Sequence, residues 1–178
     1  MNKKRIGDDL QRPSLEAFRQ QEKLPIKVLL DDIRSLSNVG SIFRTCDGFE
    51  VDEVMLCGIT GRPPHRDIQR TALGATESVK WNHYASAEET ITQLKSDGWT
   101  ILALEQCDQT IAPADLDESW RKVCLILGNE VSGIRNELIA LSDAVVEIPQ
   151  GGTKHSFNVT IAAGIALWEL YKFMKKRG

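Results

Sequence analysis

The chain has 178 residues, the length of one domain with room for a sizeable core. A hydrophobic fraction of 42% and a charged fraction of 26% are those of a globular protein. A net charge of −3 excludes a protein that coats nucleic acid indiscriminately, while leaving room for a local basic patch.

Residues 1–23 read as an extension in which Ser14 caps a short helix carrying Leu15 and Phe18, and 24–178 read as the body. The opening "MNKKRIGDDLQRP" lacks the apolar core of a signal peptide. From Pro25 onward, short apolar runs alternate with helical patterns. The runs are "IKVLLDDI", "EVMLCGI", "TILALEQ", "KVCLILGN" and "AVVEIP", and the helical patterns cover 38–49, 86–97, 134–142 and 156–175. Such alternation predicts an α/β domain with a largely parallel sheet and helices on its faces. Cys46, Cys57, Cys107 and Cys124 lie far apart, contain no CxxC and sit in or beside apolar runs. They predict reduced, buried thiols in a cytoplasmic protein. Three scattered histidines predict no metal site, and His155 to Trp168, the longest uncharged stretch, is too short and polar to span a bilayer.

In "SNVGSIFRTCDGF", residues 37–49, Val39, Ile42, Phe43 and Cys46 recur at helical spacing and face a core. Arg44 lies off that stripe, on the side assigned to Gly40, Asp47 and Gly48. It is either a surface cation paired with Asp47 at i,i+3 or a residue that something else approaches closely. No GxGxxG follows the first strand, "GGTK" at 151–154 is not a P-loop, and no GxSxG occurs. Glycines cluster instead at the ends of the late strands, in "LILGNEVSGI" (125–134) and "IPQGGTKHSFNVT" (148–160). In a parallel sheet, ligands bind in the loops at the carboxyl ends of strands. Tight turns before capped helices account for Gly128 and Asn129, with Ser156 as a helix cap. The repetition of uncharged glycine turns points to a ligand.

Three segments, "NVGSIFRT" (38–45), "LILGNEVSGI" (125–134) and "IPQGGTKHSFNVTIAAGIALWE" (148–169), resemble in content and order the three motifs of the SpoU/TrmH group of SPOUT RNA methyltransferases. "TALGATESVKW" (71–81) is a softer match. The resemblance spans about residues 26–170 and implies a C-terminal trefoil knot, against the general rule that chains do not knot. It also implies a homodimer, bent S-adenosylmethionine in the knot loops, and methylation of a ribose 2′-hydroxyl in tRNA or rRNA. The cofactor pocket then falls on Leu104, Gly128, Ile148 and Phe157. Asn38, Arg44, Glu130, Ser156 and Asn158 match the polar positions at the methyl-transfer site. Val131 stands where glycine is common and Phe157 where leucine is usual, departures that bear on substrate fit. A knotted RNA-binding relative without turnover is the alternative, and intact Arg44, Glu130 and Asn158 favour the enzyme.

The chemistry of the residues agrees with that implication. A methyl group on a sulfonium is already activated, so an enzyme aligns it and helps a poorly acidic hydroxyl attack, without a metal. Glu130 either binds a hydroxyl or orients the arginine, or is an acid in the first turn of the next helix. Asn158 and Ser156 fix the ribose or hold backbone. Arg62, Arg66 and Arg70 share a proline-containing loop with His65 and are candidates for meeting RNA phosphates, against a plain solvated loop. The last helix is apolar on most of its circumference from Phe157 to Trp168, and a second copy of the chain is the easier account of what covers it. With no separate RNA-binding domain in 1–23, a small folded RNA such as tRNA is favoured over rRNA.

Overall fold

The computed structural model describes residues 2–177. After a 3-10 turn at Gly7–Leu10, the chain runs through α1 (Leu15–Gln20), β1 (Leu24–Asp31), α2 (Leu36–Gly48), β2 (Val51–Cys57), α3 (Arg66–Ala72) and α4 (Ala75–Ser78). It continues through β3 (Lys80–Tyr84), α5 (Ala87–Ser96), β4 (Thr100–Leu104), β5 (Val123–Leu127), α6 (Asn136–Leu141), β6 (Ala144–Val146) and α7 (Val159–Lys175). Ser14 caps α1 as the sequence predicts, and serine hydroxyls also start α2 and α5. Ser14 Oγ accepts from the Ala17 amide, Ser35 Oγ from Asn38 and Ser86 Oγ from Glu89.

The six described strands form one sheet of order β3-β2-β1-β5-β4-β6, and every pairing is parallel. Alternation along each strand splits the core in two. Val28 and Leu30 of β1 and Leu125 and Leu127 of β5 face α2, α3, α4 and α7, whereas Leu29, Cys124 and Ile126 face α5 and α6. Burial pushes the thiols of Cys57 and Cys124 up to about 12, as expected for inert core groups. Cys46 is buried too, but Cys107 is only half-buried, because it lies on a loop beyond β4.

Because all strands run the same way, the loops after β1, β2, β4, β5 and β6 gather at one edge. Residues 105–122 form a strap between β4 and β5. Ile111 bridges to Val146 on β6, and Leu116 and Trp120 then pack on the α7 side of the sheet. The strand β3 carries no apolar run. It is an edge strand whose polar side chains include Asn82 and Tyr84, both donating to buried Glu53 at 2.8 Å. Among the described residues, no helix is long and apolar enough to cross a membrane and no cluster of metal-ligating side chains occurs.

Candidate active site

At the carboxyl edge the loops after β4, β5 and β6 enclose a cleft of about 700 Å³. Leu104, Gly128, Ile148 and Phe157 all line it, together with Glu130, Ser156 and Asn158. The volume lies within the roughly 300–1,000 Å³ range of small-molecule sites. Leu104, Ile134, Ile148 and Phe157 give its wall apolar surface, Glu105, Glu147 and Gln150 add polar side chains, and Gly128 and Gly133 bring backbone to it.

The β5 loop is held in shape by close approach. A Cβ on Gly128 would lie 2.5 Å from the carbonyl carbon of Gly133, and one on Gly133, which adopts φ +68°, would lie 2.3 Å from Glu105 Oε2. Asn129 Oδ1 accepts from the amides of Val131 and Ser132, which turns the loop and leaves Val131 82% exposed at its tip. Two residues with no legible motif join the three cleft loops. Glu105 accepts from the amides of Ile134 and Gln106, both at 2.9 Å, and Gln106 Nε2 donates to the His155 carbonyl at 3.0 Å. An acid at the end of an apolar run reads in sequence as a strand terminus, so nothing in the pattern marked Glu105.

Glu130 lies in the loop, six residues before α6 begins, rather than in a helical first turn. Its carboxylate crosses to the start of α2, accepting from the amides of Arg34 (2.9 Å) and Ser35 (3.0 Å) and from Asn38 Nδ2 (2.9 Å). Burial pushes its carboxyl up, but these hydrogen bonds outweigh that and hold it below the usual glutamate value. Asn38 is thereby tied to a residue of the cleft wall without lining the cleft itself. Arg44 is not so tied. It sits six residues further along α2, exposed, with no hydrogen bond or ion pair among the described residues. The pairing with Asp47 does not form; Asp47 accepts instead from Ser78 Oγ of α4. Gly40 does not share the open side of Arg44 either. A Cβ there would meet Thr71 Oγ1 at 2.2 Å, so this glycine serves the close packing of α2 on α3.

The cap of α7 is Asn158, not Ser156. Asn158 Oδ1 accepts from the Thr160 amide at 2.8 Å and from its hydroxyl at 2.6 Å, so the helix starts three residues later than its apolar pattern. Ser156 is left exposed on the cleft wall. Arg62, Arg66 and Arg70 lie outside the cleft, all exposed, in the β2–α3 loop and on α3. Arg70 approaches Asp67 at 3.7 Å.

The SpoU rRNA Methylase family model matches residues 25–168. An uncharacterized tRNA/rRNA methyltransferase of Borreliella burgdorferi is 32% identical over 88% of this chain and 67% of its own length. The tRNA (guanosine(18)-2′-O)-methyltransferase of Escherichia coli is 28% identical over 86% of this chain and 66% of its own length. The AdoMet-bound rRNA methyltransferase of Sinorhizobium meliloti superposes with a TM-score of 0.79 at 28% identity, covering 87% of this chain and 59% of that one. This chain therefore spans at most about two thirds of these relatives. The family match takes in every residue of the cleft wall, from Leu104 to Ala162, as well as the start of α2 that Glu130 binds, and the chain belongs to the SpoU rRNA methylase family.

Proposed function

We propose that this protein is a cytoplasmic S-adenosylmethionine-dependent RNA methyltransferase acting on a ribose 2′-hydroxyl, with tRNA favoured over rRNA. The observation that carries this reading is the convergence of three glycine-bearing or apolar loops on one cleft, joined by Glu130 to the start of α2. The printed activities of the relatives support it.

The cleft fits an adenine-bearing cofactor. Leu104, Ile148 and Phe157 offer apolar surface, and Gly128 offers backbone with no side chain in the way. S-adenosylmethionine supplies a methyl group activated by its sulfonium. The chain's own residues then align the acceptor hydroxyl and stabilise charge as it ionises. Asn38 is fixed by Glu130 as a donor beside the cleft, and Ser156 presents a free hydroxyl on the wall. Asn158 anchors the start of α7 while lining the site. Arg44, a donor-only fork that lies outside the cleft of its own chain, grips the phosphate beside the target ribose and steadies the developing alkoxide where bound RNA spans the two. Arg62, Arg66 and Arg70 hold more distant phosphates.

The same reading makes the protein a homodimer with a knotted C terminus. The outward side of α7 presents Ile161 (55% exposed), Ile165 (37%) and Trp168 (47%), and a second copy is what covers them. The path of the strap, out past β6 and back over the α7 side, supports threading of the last helix through it. Deleting the gene and mapping 2′-O-methylation across total RNA tests the function. Loss of one methylated ribose, in tRNA, is expected. A map identical to the parent's contradicts turnover and favours a non-catalytic RNA-binding relative.

A further inference from the structure

Below the cleft, the end of β1 carries a carboxylate that the proposed chemistry does not use. Asp31 is 2% exposed and holds the Arg135 guanidinium with both oxygens, Oδ2 to Nε at 2.9 Å and Oδ1 to Nη2 at 3.0 Å. The remaining edge of the guanidinium, Nη1, donates to Glu88 at the start of α5. Hydrogen bonding to Asp31, helped by Glu88, raises the guanidinium's pKa further. A buried carboxylate is costly unless it is paired, so Asp31 fixes where Arg135 must stand.

The placement of the pair in the chain gives it a second consequence. Arg135 directly follows the cleft loop 128–134, and Asp31 directly precedes the turn that leads into α2. The same two segments are tied above the pair by Asn129 Nδ2 on the Asp32 carbonyl at 2.8 Å and by Glu130 on the amides of Arg34 and Ser35. Of those upper bonds, the two made by Glu130 lie at the exposed mouth, where water competes for them, and the Asn129 bond is part-buried. The lower pair is a planar fork between a buried carboxylate and a guanidinium whose side chain is 40% exposed, and a fork sets an angle as well as a distance. Arg135 itself does not line the cleft.

We infer that Arg135 is a positioning residue: its two-pronged pair with Asp31 holds the cofactor-side loop 128–134 in register with the start of α2, which carries Asn38 and Arg44. The catalytic consequence rests on the methyltransferase reading, whereas the registration itself does not. Without the fork, the walls from β4 and β6 still hold the cofactor. The acceptor side, however, is no longer fixed against it.

Removing Arg135 alone strands a buried charge and threatens the fold. The test therefore uses the double variant Asp31→Leu/Arg135→Met, because removing both partners leaves no unpaired charge on the buried strand end. Arg135→Lys serves as the conservative partner. In the double variant, hydrogen exchange at the Arg34 and Ser35 amides is expected to accelerate by about tenfold or more while core strands stay protected. S-adenosylmethionine affinity should stay within about threefold while kcat at saturating substrates falls about tenfold or more. Arg135→Lys should fall between parent and double variant, since an ammonium makes no fork. Unchanged exchange at 34–35 in both variants overturns the inference whatever the activity. Parental kcat despite faster exchange also overturns it, as does a kcat loss that only tracks the unfolded fraction. Faster exchange in a protein whose parent transfers no methyl group leaves the registration standing and overturns the methyltransferase reading instead.

Discussion

Glu130 and Arg44 show how differently two motif residues are treated by the fold. Glu130 spends both carboxylate oxygens on Arg34, Ser35 and Asn38, and its pKa is depressed from the ordinary 4.5. A depressed folded value means that its stabilisation is fully present above about 4.5 and fades as pH falls through the folded value. Glu130→Gln should cost only about 1 kcal/mol in urea unfolding at neutral pH, since the group is exposed and screened. The variant should also show a flatter stability profile below pH 4.5 than the parent. Arg44 makes no such bonds among the described residues, which leaves its guanidinium free for the substrate role proposed for it. Arg44→Ala should lower kcat by about 10²–10³-fold with cofactor affinity and dimer mass unchanged, and Arg44→Lys should also be poor because a point charge cannot reproduce the fork. Near-parental turnover of Arg44→Ala on its true RNA contradicts this role. Leu104, Gly128, Ile148 and Phe157, which line the cleft, follow from the family motifs, while the bare pattern shows only uncharged glycine turns at strand ends. Asp31 and Arg135 were not, because a salt bridge between residues 104 apart leaves no local pattern. The cap was misplaced for a related reason. Ser156 and Asn158 are both good N-caps by type, and only the backbone decides which one meets the first free amide.

Among the elements, α7 carries the clearest expectation. It buries Ala163, Ala166, Leu167, Leu170 and Met174 against the sheet and α2, leaving Ile161, Ile165 and Trp168 outside. Trp168 is partly supported within the chain by Phe49 and Tyr171, with ring centres 6.0 Å away in each case, whereas Ile165 is the cleaner probe of the outer side. Ile165→Asp should convert a dimer at micromolar concentration into a monomer by light scattering, with helical content retained. A parental protein of monomer mass contradicts the assembly. Helical periodicity marks α2, α5 and α7 because each has a continuous buried stripe. The strand β3 escaped notice because "KWNHY" builds a polar edge around Glu53 rather than a hydrophobic run. The body was legible where burial is continuous and obscure where the sheet ends.

At the scale of the whole molecule, an overall charge of −3 coexists with exposed Arg62, Arg66 and Arg70 on the loop and helix that follow β2. Replacing all three with Ala should weaken RNA binding and lower the slope of log affinity against log salt by about 2–3, near one for each lost phosphate contact, while cofactor affinity stays unchanged. Unchanged RNA affinity would mark the three as ordinary solvated residues. Parallel strands bring every loop of interest to one edge, so the donor cleft, the start of α2 and these arginines can serve one RNA. The central claim is that this edge transfers a methyl group to a ribose. Purified protein incubated with methyl-labelled S-adenosylmethionine and either tRNA or rRNA, followed by alkaline hydrolysis, measures it most directly, because a 2′-O-methyl group blocks cleavage at its own nucleotide. The account predicts label in alkali-resistant dinucleotides from tRNA, lost with Arg44→Ala. Label confined to alkali-sensitive mononucleotides, or no label in either RNA from a protein that binds the cofactor, would contradict it.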